Sequence, residues 1–240
     1  IYKKDEGGTD NWGQIKKLKT GSGSSPFNLG EYSLDMNDNY IIAGTRDSYH
    51  KVFVFKKNEG GSDNWGQVKV LTGSEVESDD KYGESGIAID GDYIVVGARL
   101  AHHTTQDRGK AYVYKNNNDS WDEIKILKYD NAANYDRFGW TVSIKNNIIA
   151  VGSPESDSPT NSGVVVLYQK DTGGIDNWGQ MKVLKASDAE QNDYFGNSLA
   201  FDEGIIVVGA GEADTPGTNT GSGALYIFEN STFTTTSFFN

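Results

Sequence analysis

Three short motifs recur along the chain in one order and at nearly one spacing, and this repetition limits the fold more than any other feature. Asp10-Asn11-Trp12-Gly13-Gln14 returns as Asp63-Asn64-Trp65-Gly66-Gln67 and Asp176-Asn177-Trp178-Gly179-Gln180, with a degraded copy at Ser120-Trp121-Asp122-Glu123. The tryptophans at 12, 65, 121 and 178 are therefore 53, 56 and 57 residues apart. A second signature keeps the same offsets: Leu29-Gly30, Tyr82-Gly83, Phe138-Gly139 and Phe195-Gly196. A third trails it at Ala43-Gly44, Val96-Gly97-Ala98, Val151-Gly152-Ser153 and Val208-Gly209-Ala210. A unit of this size is one supersecondary element that cannot keep its apolar sides dry alone, so copies must stack.

Each unit reads as four short strands. The first follows the aromatic-Gly pair, as in Ser85-Gly86-Ile87-Ala88-Ile89. A tight turn rich in Asn, Asp and Gly comes next (Asp90-Gly91-Asp92; Lys145-Asn146-Asn147), residues that tolerate the positive φ of a hairpin. The second strand is an unbroken apolar run, Tyr93-Ile94-Val95-Val96-Gly97 or Ile205-Ile206-Val207-Val208-Gly209, which predicts cover on both faces. The third is Val52-Phe53-Val54-Phe55 and its copies. The fourth is the Trp strand, alternating apolar residues with lysines such as Lys69, as expected of an outer edge protected against stray pairing. No stretch holds a helical period. The fold class expected is all-β: a β-propeller of about four four-stranded antiparallel blades.

Composition narrows the class further. Acidic residues exceed basic ones, 34 to 22, for a net charge of −12. A nucleic-acid footprint would be basic, and so would a polybasic membrane-docking face, so neither partner is expected. No apolar run reaches the ~18 residues of a membrane span. The absence of cysteine removes disulfides, thiolate metal sites and cysteine nucleophiles. Glycine at 29 against proline at 4 suits turn-rich β structure.

The aromatic-Gly pair with Gly-Ala some 13 or 14 residues later resembles the FG-GAP repeat, the blade unit of the integrin α-subunit propeller. The best copies are Phe195-Gly196 … Val208-Gly209-Ala210 and Tyr82-Gly83 … Val96-Gly97-Ala98, and the Asp-Asn-Trp-Gly-Gln variant is similar to tandem FG-GAP proteins of microbes and protists. The resemblance implies an extracellular propeller used as a binding platform. Integrin blades also carry Asp-rich calcium loops. The hairpins here, Asn37-Asp38-Asn39, Asp90-Gly91-Asp92, Lys145-Asn146-Asn147 and Asp202-Glu203-Gly204, have too few carboxylates for the roughly six to eight oxygens calcium takes, so that role is not carried over.

Counting strands gives repeats at about 21–72, 73–128, 129–185 and 186–230 within a single domain, 1–230. Residues 1–20 are expected to complete the last blade as a clasp, closing a four-blade ring, with 231–240 as a tail. A segment of a larger propeller is the other solution. Ile1-Tyr2-Lys3-Lys4 matches Val54-Phe55-Lys56-Lys57, so the chain opens inside a third strand, and Phe238 lies ten residues after Phe228, the spacing that separates Phe55 from Trp65. Both ends read as cut from something longer.

Among candidate sites, the periodic tryptophans are read as packing between blades, with Asn before Trp capping a turn. Trp140 alone follows an aromatic-Gly pair and is a candidate sugar-stacking ring. An acid recurs two residues before the aromatic, at Asp80, Asp136 and Asp193. Each is read as accepting backbone N–H groups in a tight turn, and the alternative is weak Ca2+ binding by Asp188 with Asp193. His102-His103 lack a third partner and are read as solvated loop residues. Asn118-Asp119-Ser120 and Asn230-Ser231-Thr232 fit the glycan acceptor pattern, making Asn118 and Asn230 glycosylation candidates. No Gly-x-Ser-x-Gly, Walker or His-Glu-x-x-His motif is present. The expectation is a non-catalytic extracellular or cell-surface module for protein binding or adhesion, with a protein or glycan ligand on loops 45–51, 99–110, 154–163 and 211–223. A carbohydrate-binding propeller, or a structural subunit of a surface assembly, is the alternative.

Overall fold

The computed structural model describes residues 1–20, 28–46, 50–102, 107–156, 160–214 and 221–229, and the backbone of 234–236. A two-stranded hairpin, β1 (Tyr2–Lys4) and β2 (Trp12–Gln14), comes first. Four sheets follow, each a four-stranded antiparallel meander in chain order. The first blade is β3 (Leu34–Met36), β4 (Tyr40–Gly44), β5 (Val52–Lys57) and β6 (Trp65–Leu71); the second is β7 (Tyr82–Asp90), β8 (Tyr93–Ala98), β9 (Lys110–Lys115) and β10 (Asp122–Leu127). The third is β11 (Thr141–Lys145), β12 (Ile148–Ser153), β13 (Val164–Lys170) and β14 (Trp178–Leu184). The fourth is β15 (Phe195–Asp202), β16 (Ile205–Ala210), β17 (Ala224–Glu229) and β18 (Thr234–Thr236). The fold is a β-propeller array, as the repeat predicted.

The unbroken apolar strands are explained by blade stacking. One face of the first blade, with Tyr40, Ile42, Val52 and Val54, packs on Ile87, Ile94, Val96, Tyr112 and Trp121 of the second. The second presents Ala88, Val95, Ala111 and Val113 to Val142, Ile149, Val151, Val166 and Trp178 of the third. The third presents Ile148, Ala150, Val165 and Leu167 to Phe201, Ile206, Val208, Tyr226 and Phe228 of the fourth. Successive strand residues thus face different neighbours, and both sets are buried; each such aliphatic side chain contributes about 1.5–3 kcal/mol.

The recurring motifs sit at these junctions. Trp121 meets Tyr40 edge-on at 5.1 Å, and Trp178 meets Tyr93 in the same way at 5.4 Å. Lys56 Nζ lies 2.7 Å from Asp119 Oδ2, and Lys115 Nζ 2.7 Å from Asp176 Oδ2, so the same ion pair clasps the outer rim twice. The glycines ending the second strands let inner backbones touch: a Cβ on Gly97 would stand 2.0 Å from the Gly139 carbonyl oxygen. Asn64 and Asn177 donate their side-chain amides to the Glu59 and Thr172 carbonyls, closing the turn before each Trp.

The clasp expected of residues 1–20 is corrected by the pairing. β2 bonds only to β1, and the place beside β17 is taken by β18 from the 231–240 segment. Local hairpin closure between β1 and β2 needs a short loop, whereas the clasp requires the chain ends to meet. The inner strands β3, β7, β11 and β15 pack in chain order, and among the described residues no comparable packing returns from β15 to β3. Among the described residues the four sheets are not joined into a ring by strand pairing. Phe238 lies outside the described residues.

Candidate functional site

The linkers that enter each blade, and the loops joining second to third strands, gather at one end of the array. The acid of each linker is a structural anchor there. Asp80, Asp136 and Asp193 are buried, and one carboxylate oxygen of each accepts the backbone N–H three residues earlier, from Glu77 (2.9 Å), Ala133 (2.9 Å) and Glu190 (2.7 Å). Burial pushes the carboxyl pKa of Asp80 and Asp193 upward, against the lowering effect of those N–H donors. This is the turn role read from the repeat. Asp188 accepts the Tyr226 hydroxyl at 2.8 Å, and its charge adds to the upward push on Asp193. Asp188 and Asp193 thus lie close and each engages a donor of the fold; among the described residues no group of three acids or histidines converges as a metal site would require.

The histidine and glycan candidates fall elsewhere. His102 is exposed, 3.8 Å from Asp107, and His103 lies outside the described residues. His50 is buried and bonds through Nε2 to the Ser78 carbonyl. Asn118 is exposed in the β9–β10 turn at φ 50°, and Asn230 lies outside the described residues.

Trp140 occupies the middle of the loop end between the second and third blades, and it is not a bare platform. The Arg99 guanidinium lies 4.7 Å from its ring centroid and that of Arg137 5.8 Å. Arg99 is held by Glu84 at 2.9 Å, Glu84 also meets Lys81 at 3.2 Å, and Arg137 is held by Glu155 at 2.6 Å. Ion pairs therefore fix both guanidiniums over or beside the indole, where cation–π attraction adds to their positioning. Tyr135, two residues before Arg137 in the same linker, is 48 % exposed.

Sequence reasoning missed the arginines. Glu84 follows the aromatic-Gly pair and Arg99 follows Gly97-Ala98; the first blade repeats both, with Glu31 after Leu29-Gly30 and Arg46 after Gly44-Thr45. There Arg46 meets Glu31 at 2.8 Å and stands 5.0 Å from the Tyr32 ring. The Glu and Arg recur at fixed offsets and could have been paired from the alignment of repeats. Loops 45–51, 99–110, 154–163 and 211–223 are only partly within the described residues.

At the opposite end, the first strands of all four blades surround an axial cavity of about 480 Å³. Lys145 reaches Asp202 at 3.3 Å and Asp90 at 3.8 Å across it. Asp35 accepts the Ile89 N–H at 2.8 Å, and burial raises its carboxyl pKa. Lys145 thereby bridges acids of the second and fourth blades across the cavity.

Stacked four-stranded meanders with their inner strands around an axis, and arginine–aromatic loops at one end, define a propeller-type scaffold. Its sequence matches the FG-GAP repeat over residues 65–114, 121–168 and 178–228, and the chain belongs to that family. No curated protein is matched by the chain. Among solved structures it is similar to glutaminyl cyclase from Myxococcus xanthus at 9% identity and a TM-score of 0.45, covering 85% of this chain and 68% of that one.

Proposed function

We propose that this propeller is a non-catalytic binding module that recognises a protein partner through its loop end, at the cell surface or outside the cell, as an adhesion module would. The observation that carries this reading is the Arg99–Trp140–Arg137 stack, with exposed Tyr135 in the same linker as Arg137. Arginine and aromatic side chains supply most of the energy at protein interfaces, and ion pairs that hold them in place reduce the ordering cost of binding. The surrounding loops differ in length while the strands repeat, as suits a rigid scaffold with individual recognition. Support for a binding rather than a chemical role comes from the recurring acids, which anchor turns. Support for an extracellular site comes from Asn118, exposed in a turn within an acceptor sequence.

The test compares the purified chain with Arg137→Glu and Tyr135→Asp variants. A protein captured from extracellular material is purified and its binding re-measured; loss in both variants with retained melting temperature is the expected result. Binding that both variants keep refutes the reading. A glycan array distinguishes the sugar-binding alternative, which predicts a signal from the wild type that Trp140→Ala abolishes.

A further inference from the structure

Arginine is confined to one end of this molecule. Of the 22 basic residues only four are arginines, and Arg46, Arg99, Arg108 and Arg137 all lie in second-to-third-strand loops or in the linker to the third blade. Three of them are matched to a carboxylate: Arg46 to Glu31 at 2.8 Å, Arg99 to Glu84 at 2.9 Å and Arg137 to Glu155 at 2.6 Å. Arg108 is the exception. Among the described residues no acid pairs with it, and its Nε donates to the neutral Asn134 Oδ1 at 3.4 Å.

The backbone of Arg108 is nevertheless fixed. The Phe138 N–H donates to its carbonyl at 3.0 Å, the Arg137 N–H donates to the Asp107 carbonyl at 3.3 Å, and Gly109 bridges to Phe138. A Cβ on Gly109 would stand 1.9 Å from the Phe138 carbonyl oxygen, so loop and linker are pressed together here. The linker has a second unusual feature. Asn134, which receives the Nε bond, is followed by Tyr135 at φ 70°, whereas the fourth blade has Asn192 at the same step, at φ 69°. Asparagine tolerates left-handed backbone, but a bulky aromatic there is an outlier that the turn itself does not call for. The ring placed at this cost is exposed.

We infer that Arg108 and Tyr135 form a site for a carboxylate carried by the partner, the guanidinium clasping its two oxygens and the ring lying along the adjoining chain. The inference rests on the loop-end reading above and names the chemistry that this end recognises. Every other arginine of the loop end already takes a carboxylate. Parallel N–H groups of a guanidinium match the two oxygens of that group, which gives direction as well as attraction. Holding the Arg108 backbone beforehand lowers the ordering cost of the contact. The net charge of −12 and the adjacent Asp107 oppose a run of acids, so the partner segment presents a single carboxylate. An acidic side chain and a free C-terminus offer the same group, and the experiment separates them.

The test probes an array of short peptides with the full 240-residue chain. The peptides carry one internal Asp or Glu, the matching Asn or Gln, or a C-terminus that is free or amidated. The expected result is binding about tenfold stronger to carboxylate peptides than to their amide counterparts, with the free and amidated ends showing which source is used. Arg108→Gln and Tyr135→Asn should each remove most of that signal without lowering the melting temperature. Arg108→Lys keeps the charge without the fork and should also bind weakly. An empty array, equal binding to acid and amide peptides, or either Arg108→Gln or Tyr135→Asn binding like the wild type overturns the inference. Binding that Arg137→Glu abolishes and Arg108→Gln leaves intact overturns the carboxylate site alone and keeps the loop end as a binding surface.

Discussion

Gly97 offers the sharpest test of blade stacking, because an equivalent glycine, Gly209 of the fourth blade, has only Ser198 of its own blade against it among the described residues. A methyl group on Gly97 would stand 2.0 Å from the Gly139 oxygen and 3.0 Å from its carbonyl carbon, all backbone. Relief requires β8 and the linker that leads into β11 to part by about 1 Å or more, since non-bonded atoms prefer roughly 3.5–4 Å. Overpacking of this kind costs about 1–3 kcal/mol. At Gly209 the same methyl meets the Ser198 hydroxyl at 2.3 Å, a side-chain atom that can rotate away. Both substitutions reduce the freedom of the unfolded chain, a gain of about 0.4–1 kcal/mol that Gly209→Ala keeps and Gly97→Ala loses to the clash. The two variants should therefore differ by about 2 kcal/mol. For a chain of this length that is a gap in Tm of roughly 4–8 °C, with Gly97→Ala the lower. Differential scanning calorimetry of both proteins at equal concentration measures it. A Gly97→Ala protein melting with Gly209→Ala or above it refutes the account of the glycines as backbone contacts between blades.

Trp178→Ala, at a residue 1% exposed, should lower stability by about 3–5 kcal/mol in urea unfolding, whereas Trp12→Ala, at low concentration, should stay within about 0.5 kcal/mol. Asp80→Ala removes the acceptor of the part-buried Glu77 N–H and should cost about 0.5–1.5 kcal/mol, while Asp80→Asn keeps an acceptor oxygen and should retain most of the stability. Asp119 is held below the usual carboxylate range by Lys56 and then by the Tyr40 hydroxyl, so its stabilising contribution is complete above the unfolded value of about 3.9 and fades as pH falls through the lower folded value. Asp80 and Asp193 are raised by burial, so their protonation relieves a penalty and stabilises the fold as pH falls through their raised values. Melting curves from pH 7 to pH 3 should accordingly show Lys56→Met reducing the loss at the acid end and Asp80→Asn removing part of the gain above it.

The sequence by itself determined the unit and its contents. Motif spacing set the period, the unbroken run Tyr93 to Gly97 required cover on both faces, and Asn-Asp-Gly turns set the hairpins, because each depends on residues near one another in the chain. It also assigned Asp80, Asp136 and Asp193 their turn role, since their donors lie three residues away. Tertiary structure alone decided which edge meets which. Whether residues 1–20 would clasp the fourth blade depended on closing the array, and the hairpin β1–β2 with β18 on the other end resolved it. The Arg99–Trp140–Arg137 stack likewise joins side chains from the second and third blades, a contact made by the angle between sheets rather than by any local pattern. Repeated chemistry specifies a repeated junction, but only the arrangement of whole sheets in space determines which copies of that junction are filled and which are left exposed.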